Sequence, residues 1–242
     1  MNAIILEGMV GEPIPYLLRS DWLVTCVLFF CLFICCSVFS KGGKYWFLVF
    51  RNFTQKRERN SMFDEISSYS THHFFLLVFH ACLMVGLCLY YYWVDADSVL
   101  FEKVSHGFLL MGFVGEVIVL LLLKWFLYQI VNWTFFQKVR NLLWLRAYFH
   151  LLAGIGLLLL PVFLLAVYFD LSLKVSFVFI AFLLVFAKTV LFWKCFSNFF
   201  GKFYGSFHLI LYFCALEILP DLLWWKGIEW MNNNLILKII EP

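Results

Sequence analysis

The sequence has 242 residues, of which 64% are hydrophobic and only 14% are charged, and its formal net charge is +3. Soluble domains carry about a quarter charged residues, and the mean hydropathy of +0.91 is far from that class. These values exclude a water-soluble fold and predict an integral membrane protein. The basic residues lie in short connections between apolar runs, so the net charge does not indicate nucleic-acid binding.

The apolar runs predict an all-α fold, a polytopic membrane bundle of about six helices that forms a single domain over residues 1–242. Each run is close to the roughly 20 residues that a helix needs to cross the hydrocarbon layer. The predicted transmembrane spans are residues 22–39, 74–94, 107–130, 147–169, 173–193 and 206–225. Residues 1–21 are expected to form an arm at the outer surface, and residues 226–242 an interfacial tail.

The first connection between spans is long and has two parts. Ser40 to Lys44, with two adjacent glycines, is expected to end span one. Tyr45 to Phe53 is aromatic and includes Arg51, which predicts an interfacial helix in this connection. Gln55 to Asn60 is a charged run that is typical of a solvated loop.

The positions of lysine and arginine predict the orientation. Thirteen of the eighteen lie in the first, third and fifth connections or at their edges. Connections rich in positive charge stay on the cytoplasmic side of a membrane. Both termini are therefore predicted to face outward, the periplasmic side in a bacterium.

Neither the cysteines nor the histidines predict a metal or a cofactor. The eight cysteines lie in or beside predicted spans without CxxC spacing, which is typical of small packing residues. His72 and His73 are followed by His80, but adjacent histidines point to different helix faces and no HExxH motif accompanies them. We expect a protein that is not an enzyme, while an intramembrane metal-dependent or lipid-modifying enzyme that uses these histidines stays open.

Ionisable side chains inside the spans are the candidates for function, since a charge at that depth is costly unless paired or neutralised. At about 1.5 Å of rise per residue, Glu116 of span three and Glu217 of span six both fall near mid-membrane. The candidate counter-ions are Lys124, Lys188, His150 and His208, and a further acid, Asp221, stands one turn beyond Glu217. These side chains are expected either to hold helices together or to handle an ion or a proton.

Prolines and glycines predict local helix geometry. Pro161 in span four and Pro220 in span six are expected to kink their helices, because proline lacks the amide hydrogen of the helical ladder. The carbonyl that Pro220 frees beside two carboxylates suits a proton, a cation or a partner's lysine. Small residues allow close helix approach, which is expected of Gly107, Gly112 and Gly115 in span three. Span four contains Gly154 and Gly156.

Four stretches, taken together, cover most of the chain. They are GEPIPYLLRSDW near the N-terminus, KWFLYQIVNWTFF (Lys124 to Phe136), GIGLLLLPVF (Gly154 to Phe163) and CALEILPDLLWWK (Cys214 to Lys226). In order and spacing they resemble an uncharacterised family of multi-pass inner-membrane proteins of Bacteroidota, a domain of unknown function. The matching positions are Gly11, Pro13, Pro15, Tyr16, Asp21, Lys124, Gly154, Pro161, Glu217 and Pro220. Asp221 departs from the family pattern, in which an apolar residue follows the proline.

The resemblance implies a protein of the bacterial cytoplasmic (inner) membrane and supplies no established activity. The leading hypothesis is a non-enzymatic subunit or scaffold of a cell-envelope assembly, with the lipid bilayer and either a membrane-protein partner or a second copy as its contacts. The alternative is an ion- or proton-coupled transporter that uses Glu116 and Glu217. The two hypotheses share one structural question, which is whether spans three and six touch.

Overall fold

The structure, a computed structural model, describes residues 18–54, 71–96, 104–136, 138–169, 171–199 and 206–240, and all regular structure in these ranges is helical. A 3₁₀ turn (Leu18–Ser20) precedes α1 (Trp22–Thr54), α2 (Thr71–Ala96), α3 (His106–Phe135), α4 (Lys138–Tyr168) and α5 (Leu173–Phe199). They are followed by α6 (Ser206–Phe213), a π-helical turn (Cys214–Ile218) and α7 (Leu219–Ile240). The last three elements are continuous, and together they are the sixth helical segment.

Five helices in the described ranges are long and apolar enough to cross a membrane. These stretches are Trp22–Ser40, Phe74–Val94, His106–Phe135, Lys138–Tyr168 and Lys174–Ser197. The predicted all-α membrane fold is confirmed, and helices suit lipid because they pair their backbone polar groups internally. The sixth helical segment is not among the five, since the π-helical turn divides it and α7 carries Asp221, Lys226 and Glu229.

α2 lies at the centre of the bundle, in contact with α1, α3 and α4, and 61% of its spanning residues are buried. Two glycines allow this close packing. A Cβ atom at Gly156 would lie 2.7 Å from Ala81 Cα, and one at Gly86 would lie 2.6 Å from Val114 Cγ2. α5 packs on α4 and has only 17% of its spanning residues buried, so most of its surface is left to lipid.

The predicted packing role is wrong for two glycines of span three. A Cβ atom added at Gly112 or Gly115 meets nothing within 4 Å among the described residues, and the same is true of Gly154. Gly107 does approach a neighbour, since its Cβ position lies 3.1 Å from Leu23 Cδ1. The prediction fails because a run of glycines does not show which side of its helix faces another helix.

Several predicted boundaries shift. α1 continues to Thr54, so Ser40 to Lys44 does not end the helix. Glycine costs a helix about 1 kcal/mol relative to alanine but keeps its amide hydrogen, so two glycines weaken a long helix without breaking it. The interfacial placement of Tyr45 to Phe53 stays a prediction. α4 begins at Lys138, well before residue 147, and continues through Pro161. The predicted arm over residues 1–17 and the charged run over residues 55–60 lie outside the described residues.

Candidate functional site: a buried lysine and carboxylate cluster

Four charged side chains from three parts of the chain meet between α3, α5 and the sixth helical segment. Lys124 lies on α3 and Lys188 on α5, while Glu217 lies in the π-helical turn and Asp221 in the first turn of α7. Glu217 and Asp221 are four residues apart, so a helical backbone presents both carboxylates on one side. We call Lys124, Lys188, Glu217 and Asp221 the ion quartet.

The ion quartet is a closed arrangement in which each lysine contacts both acids. Lys124 Nζ lies 2.8 Å from Glu217 Oε2 and 2.7 Å from Asp221 Oδ1. Lys188 Nζ lies 2.5 Å from the same oxygen of Glu217 and 2.6 Å from Asp221 Oδ2. Two positive and two negative charges therefore balance within one cluster.

Tyr128 completes the coordination of Glu217. Its hydroxyl donates to Glu217 Oε1, so both carboxylate oxygens of this residue are occupied. Lys124 Nζ also lies 3.4 Å from the backbone carbonyl of Glu217, in the turn just before Pro220. The π-helical turn shifts the backbone ladder here, since the amide of Leu219 bonds the carbonyl of Cys214, five residues back. A carbonyl beside the carboxylates thus meets a lysine of the same chain.

One side of the ion quartet is buried, and we call it the closed side. The other side is partly exposed, and we call it the open side. Lys124 and Glu217 have side-chain exposures of 3% and 0%, whereas those of Lys188 and Asp221 are 36% and 32%. The closed side is backed by an aromatic cluster in which the Tyr128 ring packs against Trp144, Tyr148 and Tyr212. The charges on the closed side thus have protein around them, and those on the open side border the outer surface of the bundle.

Aromatic contacts mark the depth of the ion quartet. The ring of Tyr92, near the end of α2, packs against Phe177 of α5 at 5.4 Å and Trp225 of α7 at 5.5 Å, so these residues share one level. Glu217 precedes Trp225 by eight residues and Lys188 follows Phe177 by eleven, which gives about 12 and 16 Å along their helices. The ion quartet therefore lies about 12 to 16 Å along these helices from the aromatic level.

A second polar network continues from the closed side toward the connection between α3 and α4. The Tyr212 hydroxyl donates to Asn132 Oδ1 at 2.6 Å, and Asn132 Nδ2 donates to Asn141 Oδ1 at 2.9 Å. Asn141 Nδ2 in turn donates to Gln129 Oε1 at 2.7 Å. These bonds tie α6 to α3 and α4 with neutral groups, and we call them the amide network.

Glu116 is not part of the ion quartet. It precedes Lys124 by eight residues on α3, about 12 Å along the axis. Its Oε2 atom is buried and has no hydrogen-bond partner among the described residues. The structure thus brings Glu217 to two lysines and Asp221, while Glu116 lies about two turns of α3 away from Lys124.

The candidate histidines lie elsewhere. His150 Nδ1 lies 2.6 Å from the carbonyl oxygen of Arg146, and the His150 ring packs against Phe74 at 4.7 Å. His80 is buried, with Nε2 3.4 Å from Cys35 Sγ. The side chains of His72, His73 and His208 lie outside the description. Among the described side chains, no group of three or more histidines, cysteines and acids has a metal-binding arrangement.

Sequence reasoning missed Tyr128 and the amide network. The signal was present, because Lys124, Tyr128 and Asn132 recur at four-residue intervals and therefore line one face of α3. Tyr128 and Asn132 carry no charge, so the pattern of charged residues inside the spans does not indicate them. Their spacing relative to a buried lysine was the informative feature.

Comparison with protein families places this site in a domain. A family model described as Domain of unknown function (DUF4271) matches residues 24–228. The chain belongs to this family. The ion quartet, Tyr128 and the amide network all lie within the DUF4271 match, so the site is part of the family's domain. No curated protein and no solved structure matches the chain.

Proposed function

We propose that this protein is a non-enzymatic subunit or scaffold of a bacterial cell-envelope assembly, in which the ion quartet holds the sixth helical segment against α3 and α5. The observation that carries the proposal is the closed pairing, in which each lysine contacts both acids. Because each charged group is paired with two others, these ion pairs favour a single arrangement of the three helices. A fixed arrangement is what a structural subunit needs.

In this proposal the sixth helical segment is a sixth span. Trp225 of α7 packs against Trp93 at the end of α2, at 6.4 Å between ring centroids, which supports a course back to the outer interface. The positive connections then face the cytoplasm, both termini face the periplasm, and Tyr45 to Phe53 lies in the cytoplasmic interface. The inner membrane of a member of the Bacteroidota follows from the resemblance described above.

Extraction from native membranes in mild detergent tests the proposal. We expect the wild-type protein to elute with a second membrane protein or a second copy, and Glu217→Gln to lose that association. Glu229→Gln is the matched control, because Glu229 is 43% exposed and pairs only locally with Lys226 among the described contacts. A wild-type protein that elutes strictly as a lone monomer, with Glu217→Gln unchanged in stability, would contradict the proposal.

The second candidate is an ion- or proton-coupled transporter, favoured by the open side of the ion quartet and by the π-helical turn beside Pro220. Such turns are frequent at functional sites, and protonation of a carboxylate would release one lysine from the cluster. Glu116 stays a candidate in this version, as a separate carboxylate whose Oε2 atom has no hydrogen-bond partner within the described part of the chain.

Reconstituted vesicles with an internal pH dye test the transporter. We expect proton flux in the wild type and in Glu229→Gln, and a loss of flux in the double variant Glu116→Gln with Glu217→Gln. A symmetric elution peak for the double variant controls for misfolding. Equal flux in the wild type and the double variant would remove this candidate.

A further inference from the structure

The open side of the ion quartet is a polar opening in an apolar surface. The exposed residues one turn from Lys188 are Leu184, Val185 and Phe192 on α5, and those one turn from Asp221 are Ile218 and Trp225 on the sixth helical segment. Lipid chains can pack against the apolar rim, but they have no hydrogen-bond donor or acceptor for an ammonium group or a carboxylate. Lys188 and Asp221 are paired within the ion quartet, but any remaining donor or acceptor position that faces hydrocarbon is costly. An occupant of this opening would satisfy those positions.

The hydrogen-bonding capacity that remains defines the occupant. An ammonium group has three donors, and Lys188 uses one on Glu217 and one on Asp221. Each oxygen of Asp221 accepts one lysine and keeps a second acceptor position. The occupant must therefore accept one bond from Lys188 and donate to Asp221. It must also be neutral, because the four charges of the ion quartet already balance.

A hydroxyl could accept and donate only through one oxygen, whereas a carboxamide offers two adjacent atoms, a carbonyl oxygen that accepts and an NH₂ group that donates. Two adjacent atoms suit the adjacent Lys188 Nζ and Asp221 Oδ2, which lie 2.6 Å apart. Asparagine and glutamine carry it, and such side chains join helices across membranes. The described carboxamides of this chain nearest to this depth, Gln129, Asn132 and Asn141, already bond one another in the amide network. A second copy of the chain therefore has no free carboxamide to offer from that network.

We propose that the open side is a docking site for a transmembrane helix of a different protein, which places an asparagine or glutamine carboxamide against Lys188 and Asp221. Its carbonyl oxygen accepts the third donor of Lys188, and its NH₂ group donates to a carboxylate oxygen of Asp221. The apolar rim around Val185 and Ile218 packs against the flanking turns of that helix. This inference rests on the proposed function as a subunit and specifies the chemistry of its partner.

Photocrosslinking in living cells of the native host tests the proposal. A photoreactive phenylalanine analogue is placed at Val185 or at Ile218, on the rim of the opening. The control position is Leu122, which is 59% exposed and lies two residues before Lys124, on the opposite side of α3. Crosslinked peptides are then sequenced by mass spectrometry.

The expected result is one transmembrane peptide from another protein, attached at both rim positions and not at Leu122, with an asparagine or glutamine within one turn of the attachment point. Replacement of that partner residue by leucine should lower the crosslink yield about 30-fold, the effect of losing two hydrogen bonds. Because this substitution is in the partner, a lower yield cannot come from misfolding of the protein that carries the ion quartet.

The remaining outcomes separate the two proposals. A partner helix without a carboxamide near the attachment point, or a yield that the partner variant leaves unchanged, overturns the carboxamide inference and leaves the subunit function standing. Adducts confined to lipid or to other segments of the same chain overturn the docking inference, and the elution test in mild detergent then decides the subunit function. Adducts to a second copy overturn the inference in favour of a homo-oligomeric subunit.

Discussion

Lys124 and Glu217 are 93 residues apart in the sequence and 2.8 Å apart in the fold, and both side chains are buried. Their contact joins α3 to the π-helical turn, so α3 and the sixth helical segment touch. Lys188 and Asp221 extend the pair to four charges, and Tyr128 covers the far oxygen of Glu217. The sixth helical segment is polar for a membrane span, and this cluster provides partners for its two innermost acids.

Glu217→Gln is expected to destabilise the fold, because it leaves two lysines facing one carboxylate. Breaking a buried ion pair costs about 3 kcal/mol or more, which for a chain of this size lowers Tm by about 10 °C. Thermal unfolding in detergent, followed by tryptophan fluorescence, measures the shift. Glu229→Gln should melt with the wild type, and a common Tm for all three proteins would contradict a stabilising role for Glu217.

The sequence identifies the members of the ion quartet but not their pairing. All four are charged residues inside apolar runs, a feature that can be read directly. Counting residues gives the depth of Glu116 and Glu217 but not the direction in which a helix turns its side chains. Similar predicted depth therefore suggests that the two acids act together, whereas in the fold Glu217 pairs with Lys124 and Lys188. Helix rotation is set by packing between segments distant in sequence.

The glycines give the same lesson for packing. Gly86 is not among the glycines that the sequence predicts to pack closely, yet its Cβ position lies 2.6 Å from Val114 Cγ2 of α3. The Cβ positions of Gly112 and Gly115 meet nothing within 4 Å among the described residues. Existence and approximate depth of the five membrane helices follow from hydropathy and length. Which face of each helix is buried depends on complementary surfaces on its neighbours, and these are not local in sequence.

Gly156→Ala is expected to destabilise the contact between α2 and α4. The added methyl group would lie 2.7 Å from both Cα and Cβ of Ala81, so the helices must separate, at a cost of about 1–3 kcal/mol. Gly154→Ala is the matched control on the same helix, since no described residue lies within 4 Å of its Cβ position. Thermal unfolding in detergent should show a lower Tm for Gly156→Ala alone. An equal loss in both variants would point to a backbone effect of α4.

Tyr128→Phe removes the donor to Glu217 Oε1 and keeps the ring in the aromatic cluster. A hydrogen bond to a charged group contributes about 1.5–3 kcal/mol, so the free energy of unfolding should fall by about this amount. Tyr168→Phe is the control, because that hydroxyl meets Thr25 at an exposed position. Denaturation by SDS in mixed micelles compares the two, and equal values would show that the Tyr128 hydroxyl contributes nothing.

The measurement that tests the ion quartet most directly is a double-mutant cycle between Lys124 and Glu217. The free energy of unfolding is measured by SDS denaturation for the wild type, Lys124→Met, Glu217→Gln and the double variant. Because each single variant leaves an unbalanced charge and the double variant leaves none, the double variant should be less destabilised than the sum of the two, with a coupling of about 2 kcal/mol. Additive effects, with a coupling near zero, would contradict the account.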